Sequence, residues 1–160
     1  MQVIFLDVDG VLNSESWYRR RAGLSDDDAV PVPLVLPVRT RSRDDEIDPD
    51  AVQRLNRLTD LTGAALVLSS TWRMAGTDWL TLFLHRHGVR GNIVGATPVL
   101  PGPRGDEIEA WLSGHPEVTG FVILDDGADM DRLLLERLVR ISFRTGLTDG
   151  DCERAAALLA

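Results

Sequence analysis

Residues 3–13 read VIFLDVDGVLN, an apolar run that ends in two carboxylates and a glycine. Such a run is typical of a central parallel strand, and ligands bind at the carboxyl edge of an open α/β sheet. Because side chains alternate along an extended chain, Asp7 and Asp9 are expected on the same side. Two like charges so close favour a bound cation or a shared proton, and Gly10 permits a sharp turn beside a ligand. The stretch predicts a metal-assisted phosphoryl-transfer site, with one acid as nucleophile and one as proton shuttle.

Taken alone, this pattern also fits a solvated loop or a helix N-cap. A second stretch, residues 64–73 (AALVLSSTWR), again ends an apolar run in small polar residues. The hydroxyls of Ser69 and Ser70 and the neighbouring N–H groups suit a phosphoryl oxygen. The same two serines equally fit the N-cap of the element that follows.

Two later stretches complete the pattern. Residues 104–112 (RGDEIEAWL) predict an amphipathic helix, and Arg104 stands just before it, where its side chain can reach back over the sheet edge. Residues 121–129 (FVILDDGAD) form another apolar run that ends in carboxylates. If Asp125 and Asp126 meet Asp7 in space, they complete an all-oxygen site of the kind that suits Mg²⁺.

In this order, the stretches DVDGVL, LSSTWR, RGDEIEAWL and ILDD, with TGLT at residues 145–148, resemble the haloacid dehalogenase (HAD) phosphatase superfamily. They are similar to a small group that includes the HAD domains of multi-domain RNA-repair proteins. The resemblance runs from Val3 to about Leu159, nearly the whole chain.

The resemblance implies roles for the carboxylates. Asp7 would be the nucleophile that becomes an aspartyl phosphate, and Asp9 would protonate the leaving oxygen and then deprotonate the attacking water. Mg²⁺ would be held by the Asp7 carboxylate, the main-chain carbonyl of Asp9 and Asp126. Asp125 and Asp129 would make supporting or water-mediated contacts.

The resemblance also implies that Ser69 hydrogen-bonds a phosphoryl oxygen, with Ser70 beside it, and that Arg104 fills a role usually played by a lysine. All 17 basic residues of this chain are arginines. A guanidinium is planar and does not readily lose its proton, so its geometry differs from that of a lysine. Arg73, just after the two serines, is the competing candidate, and we favour Arg104.

The remaining pattern alternates strands and helices, which predicts a Rossmann-like α/β fold: an open parallel sheet of about five strands with helices on both faces. Residues 1–160 are expected to form a single domain. A proline-rich segment at 13–47 predicts a flap-like insertion rather than a cap domain. The expected strands are 3–7, 64–69, 92–95, 119–124 and 139–143, and the expected helices are 48–62, 77–87, 105–113, 129–137 and one after Thr148.

Composition limits the classes of function. The net charge of −8 argues against a general nucleic-acid-binding surface. No run approaches the roughly 20 apolar residues that a membrane span needs, and no signal peptide is expected before the first strand. The one cysteine, Cys152, cannot form an internal disulfide and is interpreted as structural. A cytoplasmic enzyme is therefore expected.

The absence of a full cap leaves the substrate open. HAD members with little cap often act on large substrates, so polynucleotide ends are one expectation and small phosphate esters under a closed flap are another. Trp17 and Tyr18 either stack on a base or sugar or, as we favour, pack the flap onto the body. A non-catalytic module that recognises a phosphate, and phosphotransfer to an acceptor other than water, are the alternative functions. A retained Asp9 argues against the binding module, because binding alone needs no general acid.

Overall fold

The computed structural model describes residues 1–25, 28 and 46–160 of the chain. Within these residues, one parallel sheet has the strand order β3-β2-β1-β4-β5. The strands are β1 (Gln2–Leu6), β2 (Ala65–Leu68), β3 (Ile93–Ala96), β4 (Gly120–Asp125) and β5 (Leu138–Arg140). The sheet confirms the predicted Rossmann-like architecture. The chain moves outward from β1 to β3 and then crosses to β4 and β5, so the strand order reverses beside β1, where such folds bind ligands.

Helices cover both faces of the sheet, and the central strands are apolar on both faces over residues 3–6, 65–68 and 121–124. In register, Phe5 lies opposite Val67 on one side and Ile123 on the other, and all three are fully buried. These odd-numbered residues pack against helices α4 and α5, and the even-numbered residues pack against α2, α3 and α6. The helices are α1 (Glu15–Arg21), α2 (Pro49–Thr62), α3 (Thr77–Arg86), α4 (Arg104–Ser113), α5 (Arg132–Leu135) and α6 (Asp149–Leu159), and a 3₁₀ turn spans Thr71–Ala75.

Local sequence signals fix the ends of two helices as predicted. The Asp48 carboxylate accepts the N–H of Asp50 at the start of α2, and Gly63 ends that helix with φ +67°. At the start of α6, Thr148 and Asp151 form a reciprocal capping box.

Helix α1 was not predicted; it lies within the segment assigned to the flap. Its sequence carries no apolar stripe, and none of its residues is buried. Local contacts form it instead: the Ser14 hydroxyl accepts the Trp17 N–H, and Arg19 pairs with Glu15 at 3.1 Å. Of the predicted flap, residues 26, 27 and 29–45 lie outside the described residues.

The other differences concern element ends. Helix α5 and strand β5 are shorter than predicted, and β4 extends to include Asp125. In the part of the chain that is described, no helix has the length and apolar character to cross a membrane.

Candidate active site

Three predicted site residues come directly at the carboxyl ends of three adjacent strands. Asp7 follows β1, Ser69 follows β2 and Asp125 ends β4. Backbone pairing continues past the strands: the Asp7 N–H donates to Leu124 O, and the Ser69 N–H donates to Leu6 O, both at 3.0 Å. The sheet itself therefore brings these residues to one edge, as the sequence predicted.

A group of three carboxylates lies at this edge. Asp7, Asp125 and Asp126 each offer an oxygen, and these oxygens lie within 4.8 Å of one another. The approach of Asp126 depends on Gly10, which has φ +77° and whose added Cβ would stand 2.5 Å from Asp126 Oδ2. Gly10 thus permits both the turn after β1 and the close approach of the loop after β4.

Burial and mutual repulsion make this group electrostatically unfavourable when all its members are charged. Burial, followed by the charge of Asp7, raises the pKa of Asp125 to about 6. The same two causes raise the pKa of Asp126. Asp125 Oδ2 is also buried and has no well-aligned hydrogen bond to the described residues. Three close carboxylates, one with a buried oxygen that makes no well-aligned hydrogen bond, are a donor set that fits a hard cation such as Mg²⁺.

Arg104, the first residue of α4, is the cation of the site. Its Nη1 lies 3.2 Å from Asp7 Oδ1 and 3.0 Å from Asp125 Oδ2. These are ion-pair distances, although this buried Nη1 makes no well-aligned hydrogen bond within the described residues. Burial alone would lower the pKa of Arg104, but the carboxylates of Asp7 and Asp125 outweigh it and the pKa is raised. The guanidinium is held by charge, with its N–H directions left for another acceptor.

Arg73 is placed very differently. It is buried, and each of its five N–H groups donates to a protein oxygen. The acceptors are Thr97 O (2.9 Å), Ser69 O (2.9 Å), Ser70 O (2.8 Å), Pro98 O (3.0 Å) and Glu107 Oε2 (2.6 Å). A guanidinium has five N–H donors in all. This geometry speaks against the phosphate-binding role predicted for Arg73, because no donor is left for a phosphoryl oxygen.

The two serines after β2 differ: one caps the 3₁₀ turn, and the hydroxyl of the other has no partner among the described residues. The Ser70 hydroxyl accepts the Trp72 N–H at 3.3 Å and so caps the 3₁₀ turn. Ser69 is fully buried, and its Oγ has no hydrogen-bond partner among the described residues. Of the pair, Ser69 has the hydroxyl whose hydrogen-bonding capacity is not used by the described residues.

Asp9 is exposed and stands outside the group of three carboxylates. Its Oδ1 accepts from Asn13 Nδ2 at 3.0 Å, and its Oδ2 accepts from Trp72 Nε1 at 2.9 Å. The strand alternation from which Asp7 and Asp9 were expected on the same side stops after β1, because the chain turns there: the Leu12 N–H donates to Val8 O, and Gly10 takes a left-handed conformation. The predicted metal contact of Asp9 was its main-chain carbonyl, which does not depend on where the carboxylate points.

Comparison with known families agrees with this geometry. A family model described as the HAD domain in Swiss Army Knife RNA repair proteins matches residues 3–152. The chain belongs to this family. At the coarse level, membership makes it a HAD-type hydrolase or phosphatase. No curated protein and no solved structure matched the chain.

Two cavities open at the site of this HAD domain. One, of about 470 Å³, is lined by Arg104, Asp125 and Asp126, by the exposed Asp129, and by an apolar wall of Met74, Val99 and Leu100. The other, of about 460 Å³, contains Asp9 and is lined by Asn13, Tyr18 and Phe143. Arg104 and Asp9 thus line different openings.

Sequence reasoning passed over several residues that build this HAD site. Glu107 neutralises Arg73, Asn13 and Trp72 hold Asp9, and Thr97 places a buried, unpartnered Oγ1 at the end of β3. The position of Thr97 directly after a strand was a usable signal, shared with Asp7 and Ser69. The other contacts join segments far apart in the chain and leave no local pattern.

Proposed function

We propose that this HAD domain is a Mg²⁺-dependent phosphomonoester hydrolase that works through an aspartyl phosphate on Asp7. The observation that carries the proposal is the setting of Asp7. Its buried carboxylate lies at the strand edge between the Arg104 guanidinium and two further carboxylates. A nucleophilic carboxylate in such a setting has a guanidinium beside it for the phosphoryl oxygens and two further carboxylates beside it that can hold a divalent cation.

The reaction would proceed in two displacements. An oxygen of Asp7 attacks phosphorus, the bond to the leaving oxygen breaks, and the Asp9 carboxyl gives its proton to that oxygen. Water then attacks the phosphorus, Asp9 takes up the proton of the water, and the bond to Asp7 breaks to release inorganic phosphate. Asp7 and Asp9 both return to their starting forms.

Arg104 and Ser69 would bind the phosphoryl oxygens. Arg104 has a charged but poorly aligned contact to Asp7, and the Ser69 hydroxyl is buried without a partner, so both gain hydrogen bonds when a phosphoryl group enters. Ser70 would contribute through the turn that it caps, and Arg73 through the carbonyls that it holds.

Asp7, Asp126 and the Asp9 main-chain carbonyl would hold Mg²⁺, with Asp125 beside them and Asp129 in reach through water. The support is the oxygen-only group of three carboxylates and the Asp125 oxygen that makes no well-aligned hydrogen bond. A divalent cation bound there supplies charge neutralisation at the phosphoryl oxygens.

The proposed substrate is a phosphorylated polynucleotide end, with small phosphate esters as the alternative. The support is the family description, which names RNA repair proteins. The cytoplasm is the proposed location, supported by the single cysteine, whose pKa is raised to about 11 mainly by burial, as befits an unreactive thiol.

The test is phosphate release from p-nitrophenyl phosphate, nucleotides and oligonucleotides carrying a 3′- or 5′-phosphate, with Mg²⁺ or with EDTA. Mg²⁺-dependent release that is lost in Asp7→Asn is the expected result. Asp60→Asn, at an exposed surface pair with Arg90, is the matched control and should keep full turnover. Release that persists in Asp7→Asn would overturn the mechanism.

One observation favours a phosphate-binding module instead: Arg104 pairs directly with the carboxylate that should attack. Under this alternative, oligonucleotide phosphate ends bind the wild-type chain and no substrate is turned over. Equilibrium binding measured beside the release assay separates the two functions.

A further inference from the structure

From the setting of Asp9, we infer that Trp72 is a positioning residue for the proton shuttle: its indole N–H fixes the Asp9 carboxyl against the leaving oxygen. The inference rests on the proposed function, since it gives Trp72 a part in the proton transfer of that reaction. It starts from the 2.9 Å hydrogen bond between Trp72 Nε1 and Asp9 Oδ2.

The Asp9 carboxyl needs a hydrogen bond to hold its orientation, because Asp9 is exposed. An exposed aspartate samples several staggered rotamers, and only some of them direct an oxygen at a given atom. Proton transfer requires the donor within hydrogen-bond reach of the acceptor. A carboxyl that is fixed in one orientation before substrate arrives does not lose rotamer freedom during the reaction, and the rate increases accordingly.

The two donors to Asp9 are not equivalent. Asn13 lies four residues away on the same loop, and its Oδ1 also accepts the Gly10 N–H at 2.8 Å, so it moves with the loop that carries Asp9. Trp72 lies 63 residues away, on the turn after β2. It is therefore the donor that fixes Asp9 relative to the phosphate-binding edge, where Ser69 lies.

The indole itself is held rigidly. Trp72 is only 9% exposed, and its ring lies 5.7 Å from that of Phe83 on α3. On the same turn, the next residue, Arg73, is fixed by five hydrogen bonds. An indole N–H on a buried ring, carried by a turn that is itself anchored, is a fixed donor, which is what a positioning group requires.

The geometry leaves the chemistry of Asp9 intact. Trp72 and Asn13 each donate one hydrogen bond, to different oxygens, and a carboxyl oxygen has a second lone pair. The acid form can therefore carry its proton on an oxygen that also accepts a hydrogen bond. Trp72 itself gains and loses no proton in the reaction.

The experiment uses Trp72→Phe, which keeps an aromatic ring and removes the N–H. It compares kcat/KM for p-nitrophenyl phosphate with that for phenyl phosphate, because kcat/KM reports the steps through release of the leaving group. Phenoxide is a strong base (phenol pKa about 10) and needs a proton as it leaves. p-Nitrophenolate is a much weaker base and needs it far less.

We expect Trp72→Phe to lower kcat/KM on phenyl phosphate by about tenfold or more, and on p-nitrophenyl phosphate by no more than about twofold. Trp79→Phe is the control, since Trp79 stacks on the same Phe83 ring but does not contact Asp9 in the described bonds. It should change neither value. An equal loss on both substrates, or no loss, would overturn the positioning role. No turnover of any substrate by the wild type would instead reject the proposed function.

A second measurement detects the hydrogen bond between Trp72 and Asp9 directly. It requires neither turnover nor the Trp72→Phe variant. The chain has four tryptophans, and each gives one indole N–H resonance in a proton–nitrogen NMR spectrum. In Asp9→Ala, the Trp72 resonance should move upfield while those of Trp79 and Trp111 stay in place. An unmoved Trp72 resonance would show that the bond does not form in solution and would reject the inference.

Discussion

The two arginines near the carboxyl edge differ in how completely the protein satisfies them. Arg73 places all five N–H groups on protein oxygens and is buried against Glu107. Arg104 lies between two carboxylates at ion-pair distance but without a well-aligned hydrogen bond from its buried Nη1. A cation whose donors are all used stabilises a fold, and a cation with donors left over can bind a ligand.

The comparison is tested most severely by Arg73→Ala. Removing one partner of a buried pair leaves the other charge uncompensated, so we expect a loss of about 3–5 kcal/mol in the free energy of unfolding. Urea denaturation measures it. The matched control is Arg90→Ala, whose pair with Asp60 has the same 2.6 Å separation but is exposed. That control should cost no more than about 1 kcal/mol. Equal losses in the two variants would contradict a structural role for Arg73.

Arg104→Ala tests the other half of the comparison. If Arg104 binds the phosphoryl group, its loss should lower kcat/KM by about 10²–10³-fold, the effect of removing one preorganised donor. The variant should stay folded, as checked by circular dichroism in the presence of Mg²⁺. A folded Arg73→Ala variant that loses more activity than Arg104→Ala would exchange the two roles.

The carboxylates facing Arg104 predict a pH dependence of stability in EDTA. The pKa of Asp125 is raised from 3.8 to about 6 in the folded state, so folding favours its protonated form. The folded protein keeps the full contribution of Asp125 to its stability below pH 3.8, where Asp125 is protonated in both states. As the pH rises from 3.8 through about 6, the free energy of unfolding falls by about 3 kcal/mol in all, because Asp125 ionises more readily in the unfolded chain. Relative to Asp125→Asn, the wild type should therefore become less stable across this window. A constant difference in the urea midpoints of the two proteins would contradict the shift.

The smallest expected effect concerns the metal. Asp126 belongs to the group of three carboxylates, and the exposed Asp129 does not. We expect Asp126→Ala to weaken Mg²⁺ binding at least about tenfold and Asp129→Ala to weaken it less. The rise of the melting temperature with Mg²⁺ concentration measures both affinities. The reverse order would assign the ligand role to Asp129.

The sequence predicts those parts of the site that follow from the order of the strands and does not predict contacts made through loops. Asp7, Ser69 and Asp125 were predicted because each ends an apolar run, and parallel strands bring their carboxyl ends to one edge. Arg104 was favoured from its place just before the helix predicted at 105–113. The contacts of Arg73 were not predictable, because Thr97, Pro98 and Glu107 reach it only through the path of the loop after β3.

Helix α1 and the turn after Asp7 also lie outside what the hydrophobic pattern predicts. Helix α1 has no apolar stripe, so the periodicity that reveals buried helices does not show it. The turn after Asp7 ends the alternation that was extended to Asp9. In both places, local hydrogen bonds decide the conformation and hydrophobic pattern does not.

The bonds of Arg73 also determine how the site can open. They join the turn after β2, the loop after β3 and, through Glu107, helix α4, which begins with Arg104. Detachment of α4 would break the Glu107 pair and withdraw Arg104 from Asp7 in the same event. Helix α4 and the 3₁₀ turn are therefore expected to form one cooperative unit of local unfolding, and amide hydrogen exchange should report a shared opening free energy for the two.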